Sequence, residues 1–173
     1  YTVTVSNGTL TVSPAASGST ITWTPAALTY GTALGAAQLN ATSTIGGSFT
    51  YTPALGVVLP AGTQTLSALF TPTDLVNYSP QTVTASVTVN KAALSVTAAS
   101  TSRPYNTANP TFTGTITGAV NGDTFTESFS TTAVLSSPAG PYPIVPAAAG
   151  TNLANYTVTV SNGTLTVSPA ASG

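Results

Sequence analysis

Five side chains carry all the ionic chemistry available to this 173-residue chain: Lys91, Arg103, Asp74, Asp123 and Glu127. Glu127 is the most informative, because Phe125 and Phe129 share its face on an ideal strand. A carboxyl buried unpaired between two phenylalanines is costly, and its pKa rises. On an edge strand or at a bulge the same carboxyl reaches water instead. A pair with Arg103, the only arginine, is the third arrangement open to it. Asp74 and Asp123 stand in the turn sequences Thr73-Asp74-Leu75 and Asn121-Gly122-Asp123, where a carboxylate supports the turn through its own hydrogen bonds.

The missing residue types exclude more than the charged ones suggest. With no His and no Cys there is no zinc site of the usual ligands, no thiol chemistry and no Ser-His-Asp triad. Three scattered acids cannot build a calcium loop, and two cations cannot track a phosphate backbone. The expectation is therefore no enzyme, no metal, no cofactor and no nucleic-acid partner. No stretch approaches ~20 apolar residues, so no membrane insertion is expected. The opening Tyr1-Thr2-Val3-Thr4 has neither a charged nor an apolar leader region, so no signal peptide is read there.

The elements that must position these residues are strands. Charged residues make up 3% of the chain, against about a quarter in ordinary domains, so the polar surface must be hydroxyl and amide. Thr and Ser supply 55 residues. Thr, Val and Tyr favour strands, while the usual surface helix formers are nearly absent. The fold class expected is all-β, built as tandem small Ig-like β-sandwich modules. Strand candidates are Thr20–Thr24, Ala37–Ser43, Ser48–Thr52, Gly56–Leu59, Thr63–Phe70 and Gln81–Asn90, then Ala93–Ala98, Thr111–Thr117, Thr124–Ser130, Tyr142–Val145 and Tyr156–Val167. Gln81–Asn90 is the clearest, with Val83, Ala85, Val87 and Val89 on one face and hydroxyls on the other. Asn162-Gly163 reads either as a bend in one long strand or as a two-residue hairpin.

An internal repeat organises all of this. Residues 1–18 recur unchanged at 156–173, a period of 155 residues. The chain therefore reads as one period of a tandem array plus an overlap. A fainter repeat divides the period. Pro60-Ala61-Gly62 and Asn77-Tyr78 match Pro138-Ala139-Gly140 and Asn155-Tyr156, and Tyr30-Gly31-Thr32-Ala33 matches Tyr105-Asn106-Thr107-Ala108, an offset of 75 to 78.

Those residues resemble known families. Ile21–Lys91, with TYGTALGAAQLNATS and NYSPQTVTASVTVNKA, resembles bacterial Ig-like repeats. Residues 93–168, with NPTFTGTITGAVNGDTF, STTA, SPAGPYPI and NYTVTVSNGTLTV, resemble the MBG domain. The resemblance implies β-sandwich modules in series on very long, adhesin-like bacterial proteins, secreted or at the cell surface. It departs from the family pattern at Asn106, where Gly commonly follows Tyr, and Asn tolerates the positive φ such a turn needs. It departs again at Glu127, where an apolar residue is expected. The division implied is 1–18 as the final strand of a preceding MBG-type module, 19–90 as the Ig-like module, 91–168 as the MBG-type module, and 169–173 as the link onward.

Some surface Ig-like modules of Gram-positive bacteria form an internal Lys–Asn isopeptide bond beside a buried acid. Lys91, Glu127 and Asn155 have the residue types for such a cross-link, while Lys91 as an exposed charge in the link is the plainer reading. The function expected is a structural repeat of an extracellular stalk, fibre or filament, adhesin-like and non-catalytic. A glycan- or cell-binding module, with Tyr105 and Tyr142 at loop tips, and a filament subunit joined by strand donation are the alternatives. Its partners would be adjacent identical repeats, covalent or within a filament, with lateral self-association permitted by the low charge. A ten-residue strand spans ~33 Å, so two modules stacked end to end would add roughly 70 Å per period.

Overall fold

Alternating apolar and hydroxyl residues fold into fifteen strands in the computed structural model, which describes residues 1–4, 8–16 and 19–170. They are β1 (Ala15–Ala16), β2 (Ile21–Thr22), β3 (Leu28–Thr29), β4 (Thr42–Ser43), β5 (Gly47–Thr52), β6 (Gly62–Pro72), β7 (Tyr78–Ser79) and β8 (Gln81–Asn90). Then follow β9 (Ala92–Ala98), β10 (Thr101–Pro104), β11 (Gly114–Thr117), β12 (Thr126–Ser130), β13 (Gly140–Ala149), β14 (Tyr156–Ser161) and β15 (Gly163–Ser168). The one helical turn among the described residues is Leu153–Asn155. The fold is all-β and of sandwich type.

Two compact units result. The first holds residues 1–26, 34–57 and 65–87; the second holds 27–33, 58–64 and 88–173. In the first, Leu66, Ala68 and Phe70 alternate inward along β6 and are buried, as are Leu34 and Val87. Phe49 stacks on Tyr51 and tilts against Phe70, and Trp23 lies 5.4 Å from the Tyr51 ring. Trp23 is half-buried, and its Nε1 donates to the Gln38 carbonyl at 2.8 Å.

In the second unit a three-stranded sheet, β11-β9-β14, packs on a four-stranded one, β10-β15-β13-β12. Ala98, Ala133, Ile144 and Leu165 form the core between them, flanked by Phe112, Phe129 and Tyr142. Strands β9 and β14 run parallel with Ala92 beside Tyr156, and β10 and β15 run parallel with Thr101 beside Leu165. The register difference is 64 in both pairs (156 − 92 and 165 − 101), so the two strands leave one sheet and enter the other side by side. Gly163 is where they cross. A Cβ there would stand 2.5 Å from the Ala99 carbonyl oxygen and 2.9 Å from that of Ala98, closer than any side chain tolerates.

The same plan occurs twice in the chain. The order β3-β8-β6-β5 repeats as β10-β15-β13-β12. The parallel pair of β1 and β7, Ala15 beside Tyr78, repeats as Ala92 beside Tyr156. Leu28 beside Val89 repeats as Arg103 beside Val167. The faint sequence repeat is thus a repeat of topology, with the change of sheet at Pro80 in one copy and Asn162 in the other.

Several expectations are corrected. Strand β15 pairs with β10 and β13, not with β14, so Asn162-Gly163 is neither a hairpin nor an interior bulge but a change of sheet. Val158 and Val160, which alternate with hydroxyls as a strand with one covered face would, are exposed, and β14 is the edge of its sheet. Of Ala37–Ser43 only Thr42–Ser43 is strand. Gln38 closes a turn there, its Oε1 accepting from Gly35 N and its Nε2 donating to Ala26 O. Gly56–Leu59 contributes a single bridge, Val58 to Ala33. Strand β10 has no counterpart among the strand candidates.

Residues 1–4 and 8–14 form no strand, yet Ala15–Ala16 pair with β7. In its pairing β1 is the counterpart of the start of β9. Identical sequences behave oppositely at the two ends of the chain. Leu10 is 87% exposed and its copy Leu165 is 0%; Val12 is 80% exposed and Val167 is 2%. Val5, matched to Val160, lies outside the described residues.

Candidate functional site

Asp123 gathers the densest polar cluster, inside the second unit. The Asn121-Gly122 turn, with φ of 57° and 73°, lifts its carboxylate off the backbone and toward three donors. Oδ2 accepts from Tyr156 Oη at 2.7 Å and from Tyr30 Oη at 2.8 Å; Oδ1 accepts from Asn152 Nδ2 at 2.5 Å. The Tyr156 hydroxyl accepts in turn from Val120 N at 3.0 Å. Tyr30 and Phe125 both meet the Tyr156 ring edge-on, at 5.4 and 5.1 Å. Gly31, with φ 91°, lets the chain past Val120, whose Cγ2 would lie 2.6 Å from any Cβ at that position. Asn106, at the corresponding position, adopts φ 58°, as its side chain allows.

The Asn152 amide first, then the Tyr156 and Tyr30 hydroxyls, hold the Asp123 carboxyl below the ordinary carboxylate range. Burial pushes the Tyr156 phenol above the ordinary tyrosine value, and the neighbouring carboxylate adds to the rise. An ionised acid saturated by donors is a poor base. The arrangement locks the turn at Asp123 to Tyr30, Asn152 and Tyr156. Because the folded pKa of Asp123 is lowered, its stabilising share is present above about pH 4 and is lost as pH falls through the folded value. Tyr156 has the opposite sign, its share being lost as pH rises past about 10 through its raised value. Asp123→Asn is expected to lower the melting temperature at pH 7, with the gap to the parent chain narrowing as pH drops below about 4. Melting curves from pH 2 to 8 check this; a gap independent of pH would contradict the ionic lock.

Asp74, by contrast, serves its own turn. It accepts from Val76 N and Asn77 N and from the Asn77 side-chain amide, and that amide is the main reason its pKa is lowered. Asp123 is expected from its sequence to do the same, and its real partners are not legible there. Tyr30 lies 93 positions away, beyond any local pattern.

Arg103 forms the second cluster. It is 3% exposed, and its guanidinium reaches oxygen on three sides. Nε donates to Asn109 Oδ1 at 2.6 Å, Nη2 to the Val134 carbonyl at 2.6 Å, and Nη1 to the Pro104 carbonyl at 3.1 Å. Asn109 Nδ2 continues the network to the Ala133 carbonyl at 2.7 Å. Arg103 thereby ties β10 to the loops that carry Asn109-Pro110-Thr111-Phe112 and Ser130-Thr131-Thr132-Ala133.

The three residues of the possible cross-link are placed as follows. Lys91 is exposed between β8 and β9. Glu127 is exposed on the edge strand β12, opposite Ala148, the water-reaching arrangement rather than the buried or Arg103-paired one. Asn155 is half-buried, with Oδ1 accepting from Ala61 N at 2.9 Å. The burial that such a condensation needs around its acid and amine is found at neither Glu127 nor Lys91. Among the described residues no three potential metal-ligating His, Cys, Asp or Glu side chains come together, and no helix is long and apolar enough to cross a membrane. A shallow hollow of about 270 Å³ beside β9 and β11 is lined by Thr97, Ala98, Ala99, Thr113, Gly114 and Thr115, which supply no charge. Of the two loop-tip aromatics, Tyr105 is exposed and Tyr142 donates its hydroxyl to the Pro138 carbonyl.

Residues 94–166 match the MBG domain, YGX type. The match covers less than half of the chain and takes in Arg103, Asp123, Glu127 and the first part of β15. A comparison with curated proteins found no match. The MBG domain occurs in surface proteins of bacteria and is a non-catalytic domain. Within the matched residues, the motifs that carry the resemblance coincide with the loops held by Arg103 and with the strands that change sheet.

Proposed function

We propose that this chain is a structural repeat of a long extracellular stalk or fibre at a bacterial surface, adhesin-like and non-catalytic, in which an Ig-like module and an MBG domain alternate. One observation carries the reading: a single eighteen-residue sequence sits in the MBG sheets at 156–168 and lies unpaired at 1–12 wherever it is described. A strand that buries Leu165 and Val167 in its own module has no equivalent partners at Leu10 and Val12, as a repeat running across modules requires.

The connections between these strands are short. Lys91 alone separates β8 from β9. In an array, Ser168-Pro169-Ala170 would continue as Ser13-Pro14-Ala15 does, so Pro169 alone would join β15 to the next copy of β1, and proline fixes its own φ. The exposed edge of β14, with Val158 and Val160 and no charge, suits lateral association of neighbouring stalks.

The test is a series of chains with one, two and three 155-residue periods, measured by small-angle scattering. The maximum dimension should grow linearly, by roughly 70 Å per added period. Growth of the radius of gyration as about the 0.38 power of length, the scaling of a compact globule, would reject the stalk.

A further inference from the structure

A sheet edge presents unpaired backbone donors and acceptors, and folded proteins normally guard it with charge, proline or shortness. Among the described residues the second unit has four sheet edges, and three are guarded. Strand β12 carries the exposed charge of Glu127. Strand β10 has four residues and ends in Pro104, and β11 has four residues and runs into Gly118 at φ 94°. Strand β14 is the exception: six residues without charge, proline or glycine, exposed from Thr157 to Ser161. The first half of the repeat closes the same edge. Its counterpart β7 has two residues, and Pro80 stands at the position of Val158 (158 − 80 = 78). We propose that β14 pairs antiparallel with β14 of a second copy of the chain, about a twofold axis at Thr159.

The strand's own pattern favours a second copy as the partner. The exposed run is centred on Thr159, and an axis there sets Thr159 opposite itself, Val158 opposite Val160 and Thr157 opposite Ser161. Opposite residues of an antiparallel pair share a face, so valine meets valine and hydroxyl meets hydroxyl. An axis at 158 would instead set Val160 against Tyr156, whose side chain is committed to Asp123 and Phe125. An axis at 160 would set Val158 against Asn162, beyond the end of the strand. On β9 the buried Leu94 and Val96 lie beside Val158 and Val160, so pairing continues an apolar row from one copy into the other. It also joins two three-stranded sheets into one. With no charge on β14, a copy facing itself meets no repulsion there. A foreign peptide added to an edge draws its specificity from side-chain pockets, and the hollow beside β9 and β11 lies on the other side of β9 from β14. Tyr156, 3% exposed and bonded to Asp123 and Val120, fixes the start of the strand in advance, which lowers the cost of ordering it. The contact is isologous and closes at two copies. It gives the lateral association read above its residues and register, and rests on that reading only for its setting between neighbouring stalks.

The single 173-residue chain tests the pairing. Sedimentation from about 10 µM to 1 mM should show a reversible monomer–dimer equilibrium, and Thr159→Lys, which sets two cations against each other at the axis, should weaken it by about tenfold or more. Because residue 159 is exposed, the melting temperature of that variant at low concentration should match the parent's. A parent chain that stays monomeric throughout, or a Thr159→Lys variant that associates as the parent does, would overturn the proposal. The register is read by cross-linking, since the chain has no native cysteine. Opposite residues on adjacent strands lie within bridging distance, whereas residues displaced by two along the strand do not. Thr159→Cys should therefore give a disulfide homodimer under mild oxidation. Val158→Cys should give little alone and a heterodimer when mixed with Val160→Cys. Ser128→Cys, exposed on the guarded edge β12, measures random collision. Thr159→Cys dimer no more abundant than that from Ser128→Cys would overturn the pairing, and equal dimer from Val158→Cys alone would overturn the axis at Thr159. These outcomes leave the stalk untouched, and failure of the scattering series alone would reject the stalk and leave the pairing standing.

Discussion

Leu165→Ala should lower the unfolding free energy by about 2–5 kcal/mol, whereas Leu10→Ala, the same change in the same local sequence, should cost less than about 0.5 kcal/mol. Leu165 is 0% exposed on a central strand, within a core that includes Ala98, Ala133 and Ile144, so truncation loses both transfer free energy and packing around the cavity. Leu10 is 87% exposed and loses nearly nothing. For a chain of this length the first change corresponds to a fall of roughly 4–20 °C in melting temperature. Few proteins offer so clean a control, because propensity, neighbours and composition are the same at the two sites. Equal costs at both positions, read from thermal or urea unfolding, would mean that residues 1–12 pack as their copy does, and the distinction on which the repeat reading depends would be gone.

What the sequence reveals, and what it hides, follows from which interactions are local. Strand β8 is legible with its observed bounds, because Val83 to Val89 alternate with hydroxyls without a break. Residues 93–168 carry the MBG pattern to the eye, and 94–166 match it. Strand β10 escapes notice because it has no apolar alternation. Its buried residue is Arg103, and its pairing partner is a parallel strand 64 positions away. The Asp123 cluster escapes for the same reason, since a local turn motif explains an aspartate there without Tyr30 or Tyr156. Val158 and Val160 mislead in the other direction. Alternation shows that a strand has two faces, not that either face is covered, and an edge strand leaves them to solvent. Glu127 is an edge residue on similar terms: its two phenylalanine neighbours are only half-buried, and its own carboxyl faces water.

The repeated topology also shows how a charge is accommodated inside the second unit. With the offset of 75 shared by Tyr30 and Tyr105, Arg103 stands where the first copy has Leu28, and Asn109 where it has Leu34; both leucines are buried. One copy fills these positions with apolar side chains, and the other fills them with a hydrogen-bonded cation and amide. Removing both members of the polar pair should cost less than the two single removals added together. Arg103→Leu leaves Asn109 Oδ1 without its 2.6 Å donor and is expected to cost about 2–4 kcal/mol. Asn109→Leu leaves a buried guanidinium short of an acceptor and is expected to cost about 3–5 kcal/mol. The double variant sheds the buried charge along with its partner and recreates the side chains of the first copy. Its cost should fall short of the sum of the single costs by about 2 kcal/mol, even though the Val134 and Ala133 carbonyls lose their donors. Urea unfolding of the four proteins measures that coupling. Strict additivity would show that Arg103 and Asn109 act separately, leaving the resemblance between the two copies at these positions without energetic meaning.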